Sequence, residues 1–436
     1  MHKRWVRWYR GNDVARNTAA MTAGGGVRLF FQAAYFILIA RCLGPAEYGA
    51  FVGAVSLVAV LSPFAIWGAD GILIRDVARD RARFPESWGN AIVTAIVFGI
   101  LLVCVVMGLS RYVLSSKAPV MLVFLVAISD LLFAGIVGVA SHAFTAFEML
   151  GKTAQIGAVM TGFRAVCALG MYFLVRHPDA TSWSVLYLAS TFLAAVYSVV
   201  VVSRQLGVPR LKWALKREHI REGFFFSLSL SSQSIYNNID KTMLVRLASL
   251  EAAGVYATAY RIVDLALQPI SSLLYSTYAR FFQHGAGGIR GAARYAKRLM
   301  PYAVCYGLFS GFLLYFSAPL LPIVIGPRFS GADAVLRWLS PLILIRTVHY
   351  LLSNCLTGAD FQKLRSCLQL GVAIFNVGIN LWLIPLYSWR GAAMGSLASD
   401  GLLALSVFVA IFLIRDIPSS AHTAISSENI PVSVPE

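Results

Sequence analysis

Twelve stretches of about 20 predominantly apolar residues run through this chain of 436, each long enough to cross a hydrocarbon core of roughly 30 Å. They cover residues 18–40, 48–67, 90–109, 120–139, 153–175 and 183–202, then 224–247, 255–282, 302–325, 334–356, 366–386 and 392–414. Within such a core each backbone N–H and C=O must be satisfied inside its own segment, so the fold class is all-α integral membrane with twelve transmembrane helices. With 58% hydrophobic and 13% charged residues and a mean hydropathy of +0.70, the chain carries more apolar side chains than a soluble core of this length buries.

Twelve spans place both termini on one side, and the distribution of Lys and Arg says which. One side receives Lys3, Arg4, Arg7, Arg10 and Arg16, the four from Arg75 to Arg83, Lys152, six from Arg204 to Arg221, five from Arg280 to Arg298, Lys363, Arg365 and Arg415, 24 of the 37. The other receives Arg41, Arg111, Lys117, Arg176, Arg246, Arg328, Arg337 and Arg390, and five lie inside spans. The richer side reads as cytoplasmic, giving a multi-pass inner-membrane protein with both termini in the cytoplasm. This asymmetry accounts for the net charge of +17, and nucleic acid is not an expected partner.

The basic segment 1–17 leads into a full-length span with no cleavage site and reads as a retained cytoplasmic terminus. The six cysteines contain no C-x-x-C pair, so neither disulfides, a metal site nor a cofactor is expected. The basic loop 204–223 divides an N-lobe at 18–203 from a C-lobe at 224–414, and the Ser- and Pro-rich tail 415–436 reads as disordered.

The two lobes repeat. At an offset of 205, Leu38-Ile39-Ala40-Arg41 falls on Met243-Leu244-Val245-Arg246, Gly49-Ala50-Phe51 on Gly254-Val255-Tyr256, and Arg75 on Arg280. Six spans per half preserve orientation, so the repeat relates the halves about an axis along the membrane normal, with a cavity between them.

A charge at mid-membrane costs roughly 2.5–3.5 kcal/mol, so the five basic residues inside spans, on the order of 15 kcal/mol together, must face protein or water. They are Arg28, Arg164, Lys241, Arg261 and Arg346, accompanied by Asp130, Asp240, Asp264 and Asp400. Helical spacing gathers them with other polar residues: Thr18, Thr22, Gly25, Arg28, Gln32 and Tyr35 in span 1; Ser229, Gln233, Tyr236, Asn237 and Asp240 in span 7; Tyr260, Arg261, Asp264 and Gln268 in span 8; Arg346, His349, Tyr350, Ser353 and Thr357 in span 10. These four spans read as cavity-lining, and the nearly uncharged spans 3, 6 and 9 as peripheral. The acidic residues suit a structural role, Lys241 with Asp240 or Arg261 with Asp264, as well as a functional one. Arg28 and Arg346 have no acidic residue within a turn, which favours function, and His349 reads as a hydrogen-bonded bundle residue. Guanidinium forks in a membrane cavity suit an anionic, phosphate-bearing substrate. Gly24-Gly25-Gly26, Pro63 and Pro269 are places where helices would bend or pack closely.

The stretch Ile39-Ala40-Arg41-Cys42-Leu43-Gly44-Pro45-Ala46-Glu47-Tyr48-Gly49 resembles the first extracytoplasmic loop of the polysaccharide transporter family, the Wzx-type lipid-linked oligosaccharide flippases of the MOP (MATE-like) superfamily. Trp67-Gly68-Ala69-Asp70-Gly71 through Arg75-Asp76-Val77-Ala78, Asp240-Lys241 with Gly254-Val255-Tyr256-Ala257-Thr258-Ala259-Tyr260-Arg261, Gly326-Pro327-Arg328-Phe329, and Asn380 to Pro385 with Arg390, Gly391-Ala392-Ala393 and Asp400 resemble it in the same order. The resemblance implies a V-shaped, MATE-like bundle of two six-helix lobes. It implies translocation of a polyprenyl-pyrophosphate-linked oligosaccharide for O-antigen, capsule or exopolysaccharide synthesis, beside polymerase and chain-length proteins, with membrane lipid around the prenyl tail. Arg28, Arg164, Lys241, Arg261 and Arg346 would then bind substrate. A coupling cation, proton or sodium, would bind among Asp240, Asp264 and Asp70.

A drug or cation exporter of the same superfamily would carry an acidic cavity, against the basic excess here, and a lipid II flippase resembles a fourteen-helix plan. A polytopic polymerase, ligase or glycosyltransferase would bring a large soluble loop or an acidic catalytic motif, and the loops here are short with no catalytic constellation. The chain therefore reads as a transporter and not an enzyme.

Overall fold

The computed structural model describes residues 2–114, 117–211 and 217–414, with the side chains of the first helix described from Gly25; the tail expected at 415–436 lies outside them. The helices are α1 (His2–Leu61), α2 (Ala69–Arg79), α3 (Phe84–Val113), α4 (Val120–Ala127), α5 (Ala134–Ala146), α6 (Leu150–Leu174), α7 (Ala180–Gln205), α8 (Arg217–Leu247), α9 (Leu250–Gly285), α10 (Ile289–Ser317), α11 (Leu321–Ile325), α12 (Ala332–Leu339), α13 (Pro341–Gly358), α14 (Gln362–Tyr387) and α15 (Trp389–Leu413). Among the described residues, nine helical runs are long and apolar enough to span a membrane. The first, Gly25–Arg79, folds into two spans at Gly44, and α8 and α9, whose interiors carry charge, supply two more, which makes twelve. Helices α1–α7 form one six-span lobe and α8–α15 the other.

The bend between spans 1 and 2 is a single residue. Gly44 has φ 72° and ψ 176°, a conformation that costs a residue with a Cβ dearly, while the helix runs unbroken through Gly25 and Gly26. Nothing stands within 4 Å of a Cβ built on either of those two, so neither bending nor tight packing accounts for them. The second span ends in a 3₁₀ turn, Ser62–Phe64, at Pro63. Residues just past the Gly44 bend serve the neighbouring helix: Glu47 Oε2 accepts the Ala180 N–H at 2.9 Å, and Asp179 caps the same helix by accepting the Ser182 N–H at 3.0 Å. Bonds from Ser182 hold the Asp179 carboxyl below its ordinary pKa.

The lobes meet closely on the face that carries few charges. A Cβ on Gly49 would stand 1.8 Å from the Leu250 carbonyl oxygen, and one on Gly254 would stand 1.9 Å from that of Pro45. Pro45 and Leu250, like Gly49 and Gly254, are 205 residues apart, so the internal repeat takes physical form as one reciprocal contact across a pseudo-twofold axis. Around it a second reciprocal pair closes the same face. Arg41, ending span 1, donates to the carbonyls of Val324 at 2.7 Å and Ile323 at 3.1 Å, while Lys117 donates to those of Ala248 at 2.9 Å and Arg246 at 3.2 Å, at the end of span 7. Phe329 sets its ring edge-on to Tyr48, 6.2 Å between centroids.

Towards the basic face the lobes part on one side only. The seam between the second limb of α1 and α8 stays zipped, with hydroxyls of Thr242, Ser234, Ser231 and Ser227 donating to the carbonyls of Gly53, Ala59, Val60 and Pro63 at 3.2, 2.8, 2.6 and 2.9 Å. Among the described residues the equivalent seam between the first limb of α1 and α9 is not closed in this way: Gly25 to Arg28 are exposed, Phe30 is 70% exposed, and Gln268, Pro269 and Ser272 of α9 are exposed as well. The bundle is shut on one face and open on the basic one.

Candidate functional site

Four helices of the second lobe converge on a buried polar cluster because each presents its polar residues at helical spacing. Asp240 and Lys241 come from α8; Tyr256, Tyr260 and Asp264 from α9; Arg346 and His349 from α13; Ser396 and Asp400 from α15. Asp240, fully buried, accepts from the Tyr256 hydroxyl at 2.6 Å and the Ser396 hydroxyl at 3.0 Å, and lies 3.5 Å from Lys241 Nζ. Lys241 also donates to the Asn237 carbonyl at 2.6 Å and stands 3.6 Å from the centre of the Tyr260 ring. Arg346, 2% exposed, sends Nε to Asp400 Oδ2 at 3.1 Å and Nη1 to within 3.6 Å of Asp264, and donates to the Tyr260 hydroxyl. His349 Nε2 is 3.1 Å from the other Asp400 oxygen. A charge this deep is tolerated only when paired, and each of these is.

A smaller cluster lies in the first lobe. A π turn, Ile128–Phe133, between α4 and α5 carries Asp130, 3.6 Å from Arg164 Nη2 on α6 and accepting the Tyr187 hydroxyl at 3.1 Å. Arg164 stacks on the Tyr187 ring, 4.2 Å to its centre.

Between the lobes, directly beneath the glycine crossing, is a cavity of about 140 Å³. Tyr35 and Tyr48 of α1 and Trp183 and Tyr187 of α7 face Lys241, Arg261 and Asp264 across it. The Arg261 guanidinium donates to Tyr35 OH at 3.4 Å, bridging one lobe to the other, and has no ion-pair partner among the described residues. The expected alternative of an Arg261–Asp264 pair is not formed; Asp264 turns instead to Arg346.

The candidate residues thus separate. Lys241, Arg261 and Asp264 line the cavity. Arg164 and Arg346, read from sequence as substrate-binding, are committed to carboxylates, because Asp130 and Asp400 lie on neighbouring helices where local spacing does not show them. Arg28 lies exposed along Gly157 of α6 towards the open side. Asp240 is enclosed by its own lobe, and Asp70, 3.5 Å from His142, belongs to a separate first-lobe contact between α2 and α5. Span 6, expected to be peripheral, contributes Trp183 and Tyr187, an i, i+4 aromatic pair that marked the inward face.

A family model described as polysaccharide biosynthesis protein matches residues 14–283, which hold the first lobe, both crossing glycines and all three charged residues of the cavity. The chain belongs to the polysaccharide biosynthesis protein family. No curated protein sequence matches it. Solved structures place this family member in the MATE fold. The inward-facing conformation of a multidrug resistance MATE family transporter of the MOP superfamily is 15% identical with a TM-score of 0.73, covering 88% of this chain and 94% of that one. The outward-facing conformation of such a transporter gives 0.62 at 15% identity, with 92% and 94% covered. A MOP superfamily transporter from Pyrococcus furiosus, described by the reverse polarity of its binding pocket, gives 0.64 at 15% identity, also with 92% and 94% covered. The family is thus one of polysaccharide biosynthesis, and the fold is the MATE fold, a multi-pass bundle of membrane-spanning helices.

Proposed function

We propose that this polysaccharide biosynthesis protein flips a polyprenyl-pyrophosphate-linked oligosaccharide across the inner membrane, from the cytoplasmic leaflet outward, for O antigen, capsule or exopolysaccharide. The observation that carries this reading is Arg261, a guanidinium with no carboxylate partner among the described residues, at the apex of the inter-lobe cavity. Five interior cations face four interior carboxylates, and once Arg164, Lys241 and Arg346 are paired the surplus falls on Arg261 and Arg28, both reached from the open side. A bidentate fork there suits diphosphate oxygens, the tyrosines and Trp183 suit sugar faces, and the prenyl tail stays in lipid beside the unzipped seam of α1 and α9. The side to which the sequence assigns 24 of the 37 basic residues is read as the cytoplasmic one, with both termini there, and the open face is taken to lie on it. Asp264, half-exposed in the cavity, is the carboxylate best placed to take a coupling proton or sodium ion.

The test is mass spectrometry of lipid-linked oligosaccharides in cells lacking the protein and in cells carrying Arg261→Gln. Completed units are expected to accumulate facing the cytoplasm in both, with at least a tenfold loss of outward transfer at normal protein level for the variant. Units that reach the outer leaflet but stay unpolymerised would replace this reading with an enzyme acting after flipping.

A further inference from the structure

We infer a second binding site for an oxyanion carried on a sugar, built around Arg365 at the cytoplasmic mouth of the second lobe; it rests on the flippase reading and extends it. Arg365, counted in the sequence among loop charges, lies inside the lobe at the start of α14. There a cavity of about 410 Å³ is lined by Gln233 of α8, Ser271 and Tyr278 of α9, Tyr350 and Asn354 of α13, and Arg365 itself. That volume lies within the range of small-molecule sites, roughly 300–1,000 Å³.

The lining chemistry is selective. Of the five N–H donors of Arg365, Nη1 is engaged, donating to Thr357 Oγ1 at 2.7 Å, while Nε is buried without an acceptor among the described residues. No carboxylate lines the cavity among the described residues, so a cation gains nothing there and an anion finds an unneutralised fork. Two amides and two tyrosines around it match the hydroxyls and apolar faces of a pyranose, which a bare phosphate does not need.

This site is joined to the apex. Arg261, Asp264, Gln268, Ser271 and Tyr278 fall at steps of three, four, three and seven residues, one stripe along α9. The stripe runs about 25 Å from Arg261 to Tyr278 at 1.5 Å per residue. Arg365 therefore holds the anionic glycan at the open mouth, and the polar stripe leads it to Arg261 below the closed face. The oxyanion is either the lipid diphosphate or the carboxylate of an acidic sugar.

Full-length protein in lipid nanodiscs, titrated with farnesyl diphosphate, tests this. In the Arg261→Gln background the remaining binding is expected to weaken at least tenfold on adding Arg365→Gln and only a few-fold with Arg365→Lys, which keeps charge but not the fork. Asn354→Leu and Gln233→Leu should each weaken it about threefold, and they serve as the test if Arg365→Gln lowers the melting temperature. Displacement of the probe by pyrophosphate assigns the site to the diphosphate, and displacement by glucuronate assigns it to an acidic sugar; displacement by neither overturns the site. Wild-type binding with Arg365→Gln, Asn354→Leu and Gln233→Leu unchanged within twofold overturns this site alone. A folded wild-type protein that binds none of the three probes overturns the flippase reading with it.

Discussion

Replacing Gly49 or Gly254 by alanine is expected to abolish transport while the protein still folds and inserts. Each new methyl would meet a backbone carbonyl oxygen at under 2 Å, at Leu250 in one case and Pro45 in the other, and no flexible side chain is available to yield. The collision exists only when the lobes are closed on that face, so it raises the energy of this state and spares one in which the two helices separate. Overpacking of this kind costs on the order of 3 kcal/mol. At 1.4 kcal/mol per decade that shifts the equilibrium about 100-fold towards a state open on that face, the outer one in the proposed orientation. The reading is labelling of Val52→Cys, a cavity residue, by an impermeant maleimide added from outside, in a background without the six native cysteines. Labelling should rise from background to near completion in either alanine variant. Because the pseudo-twofold makes the two positions equivalent, the double variant should be no worse than either single one. Wild-type transport with unchanged labelling would show that the glycines do not gate.

Arg346→Ala is expected to remove most folded protein from the membrane rather than to impair substrate binding. It strips the ion-pair partner from Asp400, 1% exposed, and also releases Tyr260 and Asp264. Breaking a buried pair on one side costs about 3–5 kcal/mol, whereas replacing both partners by apolar residues of similar size is close to neutral. Fluorescence-detected size-exclusion chromatography should therefore show Arg346→Ala mostly aggregated and Arg346→Met with Asp400→Leu substantially recovered. A stable, monodisperse Arg346→Ala protein that fails only to bind would return this arginine to the substrate site.

The difference between Arg346 and Arg261 shows what a linear reading reaches. Both are arginines on polar helical stripes, and neither has a carboxylate in ion-pair contact on its own helix. Arg346 finds Asp400 54 residues away, on a helix whose rotation relative to α13 is set by packing throughout the lobe. Arg261 faces instead a tyrosine 226 positions distant in the other lobe. Lys241 follows Asp240 directly in the chain, so that pair was legible, whereas spacing rules report neighbours three or four residues apart on one helix and leave the cross-helix pairs unseen. Arg365 was hidden differently: a single basic residue near a span end counts equally as a loop charge or a cavity charge until the depth of its helix is known.

What the sequence by itself determined is the number of spans and the repeat, because each depends on quantities written along the chain: the length of apolar runs against a fixed membrane thickness, and an offset of 205. Only the tertiary structure decided which charges neutralise one another, that Gly49 and Gly254 are the crossing point, and which face is open. Those follow from how helices distant in sequence rotate and approach, and a buried charge is silent or active according to what stands within about 4 Å of it.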